Sequence, residues 1–477
     1  MNRRVILWFR QDLRIHDNEA LRDALISGDE ILPVYVFDER LFNGHTSYGF
    51  RKTDKFRARF IIESVQNLKV NLQKLGLDLL IKIGKPEDVI YELAKDHKTS
   101  WTFCNRERTQ EEQDVQDSLE RNLWSVGQEI RYSRGKMLYY TADLPFPVTH
   151  TPDIFTSFRK EVEKFVDVRA PIQLPSELPS LISLKEGYGS VPNLHELGFN
   201  DKEIKESENG AFKGGEEEAL KRLNYYLWES DLISKYKETR NGMLGTDYSS
   251  KFSSWLAQGC ISPKRIYHEI KKYEAERGEN ESTYWLFFEL MWRDFFRLMG
   301  KKHGNEIFKK GGTKQEPRED LQDNLDLFRI WSEGRTGFPI VDANMTELNT
   351  TGFMSNRGRQ NVASFLVNDL KVNWLMGAEY FESLLVDYDP CSNYGNWNYI
   401  AGVGSDPREN RYFNTVSQSK RYDPDGSYLS HWIPSLKNLC PDKVHEPFTL
   451  SEQEQNDMGF VLGKDYPKAC VRAKSMS

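Results

Sequence analysis

Cysteine is scarce in this chain, and the few cysteines stand far apart. Five are spread over 477 residues, and no two have CxxC spacing. The nine histidines show neither HExxH nor HxxxH spacing. A disulfide framework and a zinc knuckle are therefore disfavoured, and we predict no structural metal.

Long apolar runs are missing as well. No run approaches the roughly 18 residues that a membrane-spanning helix needs. The opening residues, MNRRVILWFRQD, place charge directly after a short apolar run, unlike a cleavable signal. We therefore expect a cytoplasmic protein without membrane contact. The net charge of -7 disfavours non-specific coating of nucleic acid but leaves room for a local basic cleft.

Apolar runs and amphipathic segments alternate five times between residue 4 and about residue 135. This alternation predicts an α/β unit, a doubly wound parallel sheet covered by helices. The predicted strands are VILWF (5–9), LPVYVF (32–37), LDLLIKI (77–83), SWTFC (100–104) and QEIRYS (128–133). RQDLRIHDN follows the first strand and lacks the glycines of a phosphate-binding turn, so ordinary dinucleotide binding is disfavoured there.

The composition changes twice further along. Prolines cluster between about 141 and 212, which predicts a surface connector with one helix, DIFTSFRKEVEKF. From about 214 onward the apolar period is helical nearly everywhere, including the long segment 361–387, and predicts an all-α unit. DYDPCSNYGNWNY (387–399) stands out there as a turn-rich stretch. We predict domains at 1–135 and 214–477, joined by a connector at 136–213.

Three segments carry polar side chains suited to a ligand. Glu289, Trp292 and Arg293 would share one helical face, where charge is costly unless a partner satisfies it. An ordinary i,i+4 pair of Glu289 with Arg293 is the alternative. The other candidates are Ser249, Ser250 and Ser253 at a helix start, and Asn356, Arg357 and Arg359 at a loop-to-helix junction. Taken alone, the serines could bind phosphate or simply cap the helix, and the arginines could bind phosphate or simply be solvated. Taken together, the three segments predict a site for an anionic, aromatic ligand.

Five segments, in order and over nearly the whole chain, resemble the photolyase and cryptochrome family. They are WFRQDLRIHDN, YSSKFSSWLAQGCISP, ELMWRDFFR, GRTGFPIVDANMTELNTTGFMSNRGRQ and DYDPCSNYGNWNYIAGVGSDP. LPFPVTHTPDIFTSFRK and YKETRNGMLGTDYSSKFS resemble its DASH-type cryptochromes. The resemblance implies an antenna-binding α/β domain, a long connector and a helical domain that holds FAD in a bent conformation.

The resemblance also implies cofactor ligands. Arg359 would pair with Asp387 beside the flavin ring, and the amide of Asn393 would face the redox-active ring nitrogen, where it can donate or accept. The implied FAD ligands are Tyr236, Ser249, Ser250, Ser253, Arg293, Asn356, Arg359, Asp387, Asp389 and Asn393. Glu107 matches a position that holds a methenyltetrahydrofolate antenna, although a solvated acid at the start of the next helix is an equal alternative on local grounds.

The activity implied is light-driven electron transfer from reduced flavin to a cyclobutane pyrimidine dimer. Glu289, Trp292 and Asn393 match the catalytic positions, and Glu289 and Trp292 would also contact the dimer. Arg357, Gln360 and Tyr399 match the DNA-facing side. Gln360 and Tyr399 stand where double-strand repair enzymes have methionine and tryptophan, and these exchanges resemble DASH members that suit single-stranded DNA.

The series of tryptophans that would photoreduce the flavin departs from the family pattern. Trp397 and Trp374 match its inner and middle members, but Leu321 occupies the outer position, and leucine cannot carry an electron hole at accessible potentials. We therefore predict slower photoreduction or the use of another aromatic residue, such as Trp331 or a tyrosine.

Two other functions are weighed against repair. A blue-light receptor would bind DNA or a protein and signal through flavin redox state without turnover, and the short C-terminal tail weighs against signalling of the plant or animal sort. A nucleotide-binding α/β protein without light chemistry is disfavoured by the missing phosphate-loop glycines. The oligomeric state stays open, with a monomer as the expectation.

Overall fold

The computed structural model describes residues 3–404 and 412–472. The end of the fifth family-like segment, residues 405–407, lies outside the described residues.

A parallel sheet forms the first half, as the alternating pattern predicts. Its strands are β1 (Arg4–Phe9), β2 (Glu30–Asp38), β3 (Leu80–Gly84), β4 (Trp101–Asn105), β5 (Glu129–Ser133) and β6 (Ser180–Leu181). The order is β3-β2-β1-β4-β5, with β6 pairing beside β2. The winding direction reverses between β1 and β4, so a crevice opens there at the carboxyl ends of the strands. Because helices cover both faces, the central strands are continuous apolar runs.

The helices of this half follow the strands in turn. Asn18 caps the first of them by accepting from the Leu21 N–H, and Thr109 and Glu112 form a reciprocal capping box at the fifth. The helices are α1 (Glu19–Ser27), α2 (Glu39–Asn43), α3 (Lys55–Lys74), α4 (Pro86–His97) and α5 (Gln110–Ser125).

The connector holds more structure than its sequence predicts. The expected helix is present as α6 (Phe155–Phe165), but α7 (Asp201–Ser207) and β6 were not predicted. Strand β6 has two residues and α7 has seven, so neither is long enough to show a hydrophobic period.

The second half is helical, as predicted. Its helices are α8 (Glu216–Asn224), α9 (Tyr236–Thr239), α10 (Ser253–Ala257), α11 (Pro263–Arg277), α12 (Glu281–His303), α13 (Leu325–Ser332), α14 (Pro339–Thr351), α15 (Asn356–Ser364), α16 (Trp374–Leu384), α17 (Pro390–Ala401), α18 (Thr415–Tyr422), α19 (Ser427–Trp432), α20 (Pro441–Val444) and α21 (Glu452–Met458). In the described part of the chain, no helix is long and apolar enough to cross a membrane. The cytoplasmic location stays a prediction.

Two local predictions in this half were wrong. The segment 361–387 is two helices, because a π-helical turn at Phe365–Asp369 and a left-handed Lys371 (φ 55°) separate α15 from α16. The stretch 387–399 is mainly helical, because Asp389 caps α17 and Pro390 occupies its first turn. Gly395 lies mid-helix where α17 crosses α12, and a Cβ there would stand 2.4 Å from Phe296 Cδ1. Close helix packing, not a turn, therefore explains this glycine.

Candidate functional site

A cavity of about 300 Å³ opens among α12, α15 and α17 and the segment that leads into α10. Its volume lies at the lower end of the range for small-molecule sites. Of the site residues predicted from the sequence, thirteen line it: Tyr236, Ser249, Ser250, Ser253, Glu289, Arg293, Asn356, Arg359, Gln360, Asp387, Asp389, Asn393 and Trp397. Residues up to 161 positions apart in the sequence, Tyr236 and Trp397, thus share one cavity.

One wall of the cavity combines hydroxyls with a buried cation. Ser249 and Ser250 precede α10, and Ser253 is its first residue. Between them Lys251 is only 4% exposed, and its ammonium lies over the ring of Tyr248, 3.3 Å from the centroid. No carboxylate of the described residues forms an ion pair with Lys251. A buried, unneutralised cation beside hydroxyls fits an anionic ligand group such as a diphosphate.

Arg359 and Asp387 meet at the cavity wall. Nη2 of Arg359 donates to both carboxylate oxygens of Asp387, at 3.0 and 2.8 Å, and its Nε donates to the Met354 carbonyl. Helix α15 projects Arg359 from its first turn, which Ser355 caps by accepting from the Gly358 N–H. The pair thereby fixes the start of α15 against the segment before α17.

A second charge pair joins Asp389 to Arg297. Nη1 of Arg297 donates to Asp389 Oδ2 at 2.8 Å, and both side chains are buried. Burial acts to raise the pKa of Asp389, but the guanidinium groups of Arg297 and Arg293 outweigh it and hold that pKa at about 2. Asp389 therefore presents a permanent negative charge at this edge of the cavity.

The amide of Asn393 has a defined orientation. Its Nδ2 donates to the Ala378 carbonyl at 2.9 Å, an assignment that follows from the hydrogen-bond pattern. The side-chain oxygen is then left as an acceptor for a group in the cavity.

Glu289 pairs with a residue that the sequence pattern did not single out. Its carboxylate Oε1 accepts a short hydrogen bond from Nη1 of Arg240, whose guanidinium also lies over the ring of Trp285 at 5.6 Å. The alternative of a pair between Glu289 and Arg293 was wrong, because Arg293 instead donates to the carbonyls of Lys136 and Leu256.

Two aromatic candidates stand beside the cavity and do not line it. Trp292 stacks on Phe155, with ring centroids 3.7 Å apart and planes 9° apart. Tyr399 meets Trp292 edge-on at 6.0 Å. Trp292 follows Glu289 by three residues on α12, so it adjoins the cavity without being part of its lining.

Arg357 and Gln360 form a polar rim. Nη1 of Arg357 donates to Gln360 Oε1 at 2.9 Å, and its Nη2 donates to Asn241 Oδ1 at 2.8 Å. Because Arg357 occupies the oxygen of Gln360, the amide NH₂ of Gln360 is the part available to a ligand.

The tryptophans are arranged around Trp397, which lines the cavity. Trp331 meets it edge-on at 6.4 Å, and the indole of Trp331 is fully buried. Trp374 is also buried, and its ring meets that of Tyr394 at 6.4 Å. Leu321 is a partly buried member of the same apolar cluster. Trp331 is therefore the tryptophan in direct ring contact with Trp397 among the described residues.

Glu107 lies outside this cavity. It follows β4, at the crevice of the sheet, and is 2% exposed. Its oxygens are bound by Lys136 Nζ at 2.5 Å and Arg297 Nη2 at 3.4 Å. The alternative of a solvated acid was wrong, because Glu107 belongs to a buried ionic cluster that reaches Asp389 through Arg297.

Comparisons with known proteins identify the family. Residues 5–178 match the family model described as DNA photolyase, and residues 285–477 match the model described as FAD binding domain of DNA photolyase. A Synechocystis protein named Cryptochrome DASH is 50% identical over 98% of this chain and 95% of its own length. The chain belongs to the DASH cryptochromes of the photolyase family.

Other relatives agree with this membership. The Cryptochrome DASH of Xenopus laevis is 47% identical over 100% of this chain and 91% of its own. The Synechocystis cryptochrome structure superimposes with a TM-score of 0.93 and 49% identity, over 98% of this chain and 96% of that one. A bacterial class III photolyase from Agrobacterium tumefaciens superimposes with a TM-score of 0.85 and 27% identity, over 100% and 95%. The helical half is thus a domain of the FAD-binding type.

The sequence did not indicate three residues of the site: Arg240, Lys251 and Arg297. Arg240 and Arg297 are recognisable only when their acidic partners are placed beside them, 49 and 92 positions away. Lys251 lies inside the serine segment, and its position between two of those serines was the one available signal.

Proposed function

We propose that this DASH cryptochrome repairs cyclobutane pyrimidine dimers, chiefly in single-stranded DNA, with FAD in the cavity. The observation that carries the proposal is that Glu289, Asn393 and Trp397 open onto one cavity. The same cavity therefore presents a carboxylate that suits a substrate (Glu289), an amide that suits a flavin (Asn393) and an indole that suits electron supply (Trp397).

The cavity residues fit FAD in their chemistry. We assign Lys251 and the three serines to the diphosphate, and Asp387 with Arg359 to the ring side. Bound reduced FAD supplies an electron under blue light. Asn393 presents its oxygen and can accept a hydrogen bond from a protonated ring nitrogen, while Asp389 adds fixed negative charge.

Glu289 and Arg240 would act on the substrate. The guanidinium holds the carboxylate of Glu289 in place, and that carboxylate keeps free lone pairs that can accept from the imide N–H of a flipped-out base. The stacking of Arg240 over Trp285 limits the movement of the pair. Glu289 can therefore orient the dimer over the flavin side of the cavity.

The mouth of the cavity favours single strands in this proposal. Extraction of a dimer from a duplex costs a few kcal/mol of stacking and pairing. Tyr399 offers a flipped-out base less stacking area than tryptophan would, and Gln360 offers a polar side chain in place of an apolar methionine. Both residues therefore offset less of the cost of opening a duplex. Arg357 at the rim suits a backbone phosphate.

The test is anaerobic illumination of the full-length flavoprotein with single- and double-stranded oligonucleotides that contain one dimer. We expect dimer loss in single strands and a decrease of at least tenfold in Glu289→Gln, with no change in Glu279→Gln, an exposed carboxylate of the α11–α12 loop. No dimer loss in either substrate would remove the enzyme and favour the receptor.

We also propose a methenyltetrahydrofolate antenna at the interdomain crevice. Glu107 supports it by lying at the carboxyl edge of the sheet, where ligands of doubly wound folds bind. Reconstitution with the folate, read as an added near-ultraviolet absorbance band, should succeed in the wild type and weaken at least tenfold in Glu107→Gln.

A further inference from the structure

The ring of Tyr394 lies among the tryptophans beside the cavity. It meets the ring of Trp374 edge-on, with centroids 6.4 Å apart, and Tyr394 is only 5% exposed. Tyr394 also stands three residues before Trp397 on α17, about one helical turn, so both side chains project from the same side of that helix. Tyr394 is therefore close to both tryptophans that the family resemblance places in the electron-transfer series.

The hydroxyl of Tyr394 has a carboxylate as its acceptor. It donates to Glu382 Oε2 at 2.9 Å, which links α17 to α16. Nη1 of Arg57, on α3 of the α/β half, donates to the backbone carbonyl of Glu382 and so fixes this residue. Burial raises the pKa of Glu382, although the charge of Arg57 and the hydrogen bond from Tyr394 act against it. Glu382 is therefore a better proton acceptor than an ordinary surface glutamate.

The indoles of Trp331 and Trp374 donate to backbone carbonyls instead. Nε1 of Trp331 donates to the Val362 carbonyl at 3.0 Å, and Nε1 of Trp374 donates to the Lys310 carbonyl at 3.1 Å. A carbonyl oxygen accepts a hydrogen bond but is too weak a base to take a proton near neutral pH. An electron hole on either indole therefore stays a radical cation, which can recapture the lost electron.

Tyr380 provides a comparison within the same group of rings. It meets Trp331 at 6.1 Å, but its hydroxyl donates to the amide oxygen of Asn349 at 2.6 Å. An oxidised phenol is a strong acid, so a tyrosine gives up an electron at accessible potentials only where a base takes its proton. The hydrogen bond of Tyr394 to a carboxylate meets that requirement, whereas an amide oxygen does not.

We propose that Tyr394 is the terminal electron donor of flavin photoreduction and that Glu382 accepts its proton, an inference that rests on the proposed FAD in the cavity. Trp397 first loses one electron, and the oxidant is light-excited, oxidised flavin. Trp331 or Trp374 can share the resulting hole. An electron from Tyr394 then refills the tryptophan, while the phenol proton moves to Glu382 Oε2. The products are a neutral tryptophan, a neutral tyrosyl radical and a protonated glutamic acid.

The proton transfer makes the charge separation last. Return of the electron to Tyr394 requires the proton to come back from Glu382 at the same time, so recombination is slow. An external thiol reductant supplies the electron instead, and Glu382 then returns the proton to the phenol oxygen. Burial and the charge of Glu382 raise the pKa of Tyr394 far above its usual value, so the phenol keeps its proton until it is oxidised. The hole thus persists although leucine occupies position 321.

The test is electron paramagnetic resonance of the full-length, flavin-loaded protein, frozen under illumination, with and without ring-deuterated tyrosine. Deuteration should narrow the wild-type signal, because the unpaired electron resides on a tyrosine ring. In Tyr394→Phe and in Glu382→Gln we expect a tryptophan signal whose lifetime is shorter by about tenfold or more. Tyr380→Phe is the matched control and should keep the tyrosyl signal and the lifetime of the wild type.

Infrared difference spectra, light minus dark, give a second readout that a merely structural role of Glu382 would not produce. The wild type should gain a carboxylic-acid C=O band that shifts in D₂O, and this band should be missing in Glu382→Gln and in Tyr394→Phe. Glu382→Asp keeps a base on a shorter side chain and should restore part of the band. If a variant fails to bind flavin, the deuteration and infrared results on the wild type decide the proposal by themselves.

The outcomes separate this proposal from the repair proposal. A wild-type signal that tyrosine deuteration leaves unchanged, or a tyrosyl signal that persists in Tyr394→Phe, would overturn the role of Tyr394. A tyrosyl signal that Tyr394→Phe removes, in a protein that leaves dimers intact, would remove repair and support the role of Tyr394. Dimer repair together with a tryptophan signal would mean the opposite. A protein that holds no flavin would give no light-induced signal, which would refute both proposals.

Discussion

Lys251 should make flavin binding depend on pH. Burial lowers its pKa to about 7, with Arg222 and Arg359 lowering it and Glu347 and Asp387 raising it. The diphosphate of FAD would bind the protonated ammonium and so raise that pKa. A group whose pKa rises on binding favours the complex at low pH, and this advantage is lost as pH rises above the pKa of the free protein.

The size of the effect follows from this value. If the pKa in the complex lies well above 9, the affinity falls ~50-fold between pH 7 and pH 9, because the protonated fraction of the free protein falls from about one half to about one hundredth; this corresponds to about 2.3 kcal/mol. Lys251→Met should bind FAD more weakly at pH 7 and show a nearly flat profile from pH 7 to pH 9.

The measurement is the dissociation constant of FAD from apoprotein, followed by recovery of flavin fluorescence. Glu347 needs a control, because burial raises its pKa to about 7, against the hydrogen bond from Tyr428 and the charge of Lys251. Glu347→Gln removes an attractive charge, so Lys251 should lose its proton earlier and the profile should start to fall below pH 7. A slope that persists unchanged in Lys251→Met would refute the assignment of Lys251 to the diphosphate.

Three further predictions follow from the packing around the cavity. Arg297→Met leaves the buried Asp389 without its partner and should lower the free energy of unfolding by about 3–5 kcal/mol in urea denaturation. The control Arg277→Met, at an exposed pair on α11, should lower it by about 1 kcal/mol or less. Equal losses would contradict a special role for the buried pair. Gly395→Ala forces a Cβ against Phe296 and should lower the free energy of unfolding by about 1–3 kcal/mol, seen as a lower Tm. Asn396→Ala on the exposed side of α17 should lower it less. An unchanged Tm in Gly395→Ala would show that α12 and α17 can separate freely. Leu321 stands at the outer tryptophan position, and Trp331 contacts Trp397. Trp331→Phe should therefore slow light-driven flavin reduction by about tenfold, measured as flavin absorbance with a thiol reductant, and Leu321→Trp should restore the rate. Unaltered rates in both variants would show that electrons take another route.

The strands of the sheet were predictable to within a few residues. Each is buried on both faces or bounded by polar turns, so its apolar run is visible in the sequence. The short elements of the connector were not predictable in this way, because two paired residues in β6 depend on the edge that β2 offers. The same holds for α17, where helix capping by Asp389 overrides a composition typical of turns.

Candidate site residues were predictable where a motif carried them. Thirteen such residues line one cavity, and the ten that the family resemblance implied as FAD ligands are among them; their roles stay predictions. Trp292 and Tyr399 share their helical faces with lining residues, but Trp292 stacks on Phe155 of the connector and does not line the cavity. That contact joins residues 137 positions apart, and helical periodicity holds no information about it.

The sequence alone determined the parallel sheet, the helical second half and the residue types that suit an anionic, aromatic ligand, because burial period and motif spacing are local properties of a chain. Tertiary structure decided which charges meet. Glu107 and Arg297 are 190 positions apart, and Arg240 and Glu289 are 49 apart. A carboxylate is bound, paired or free according to what folding places within about 4 Å of it, since Coulomb energy falls with distance in space and not along the sequence.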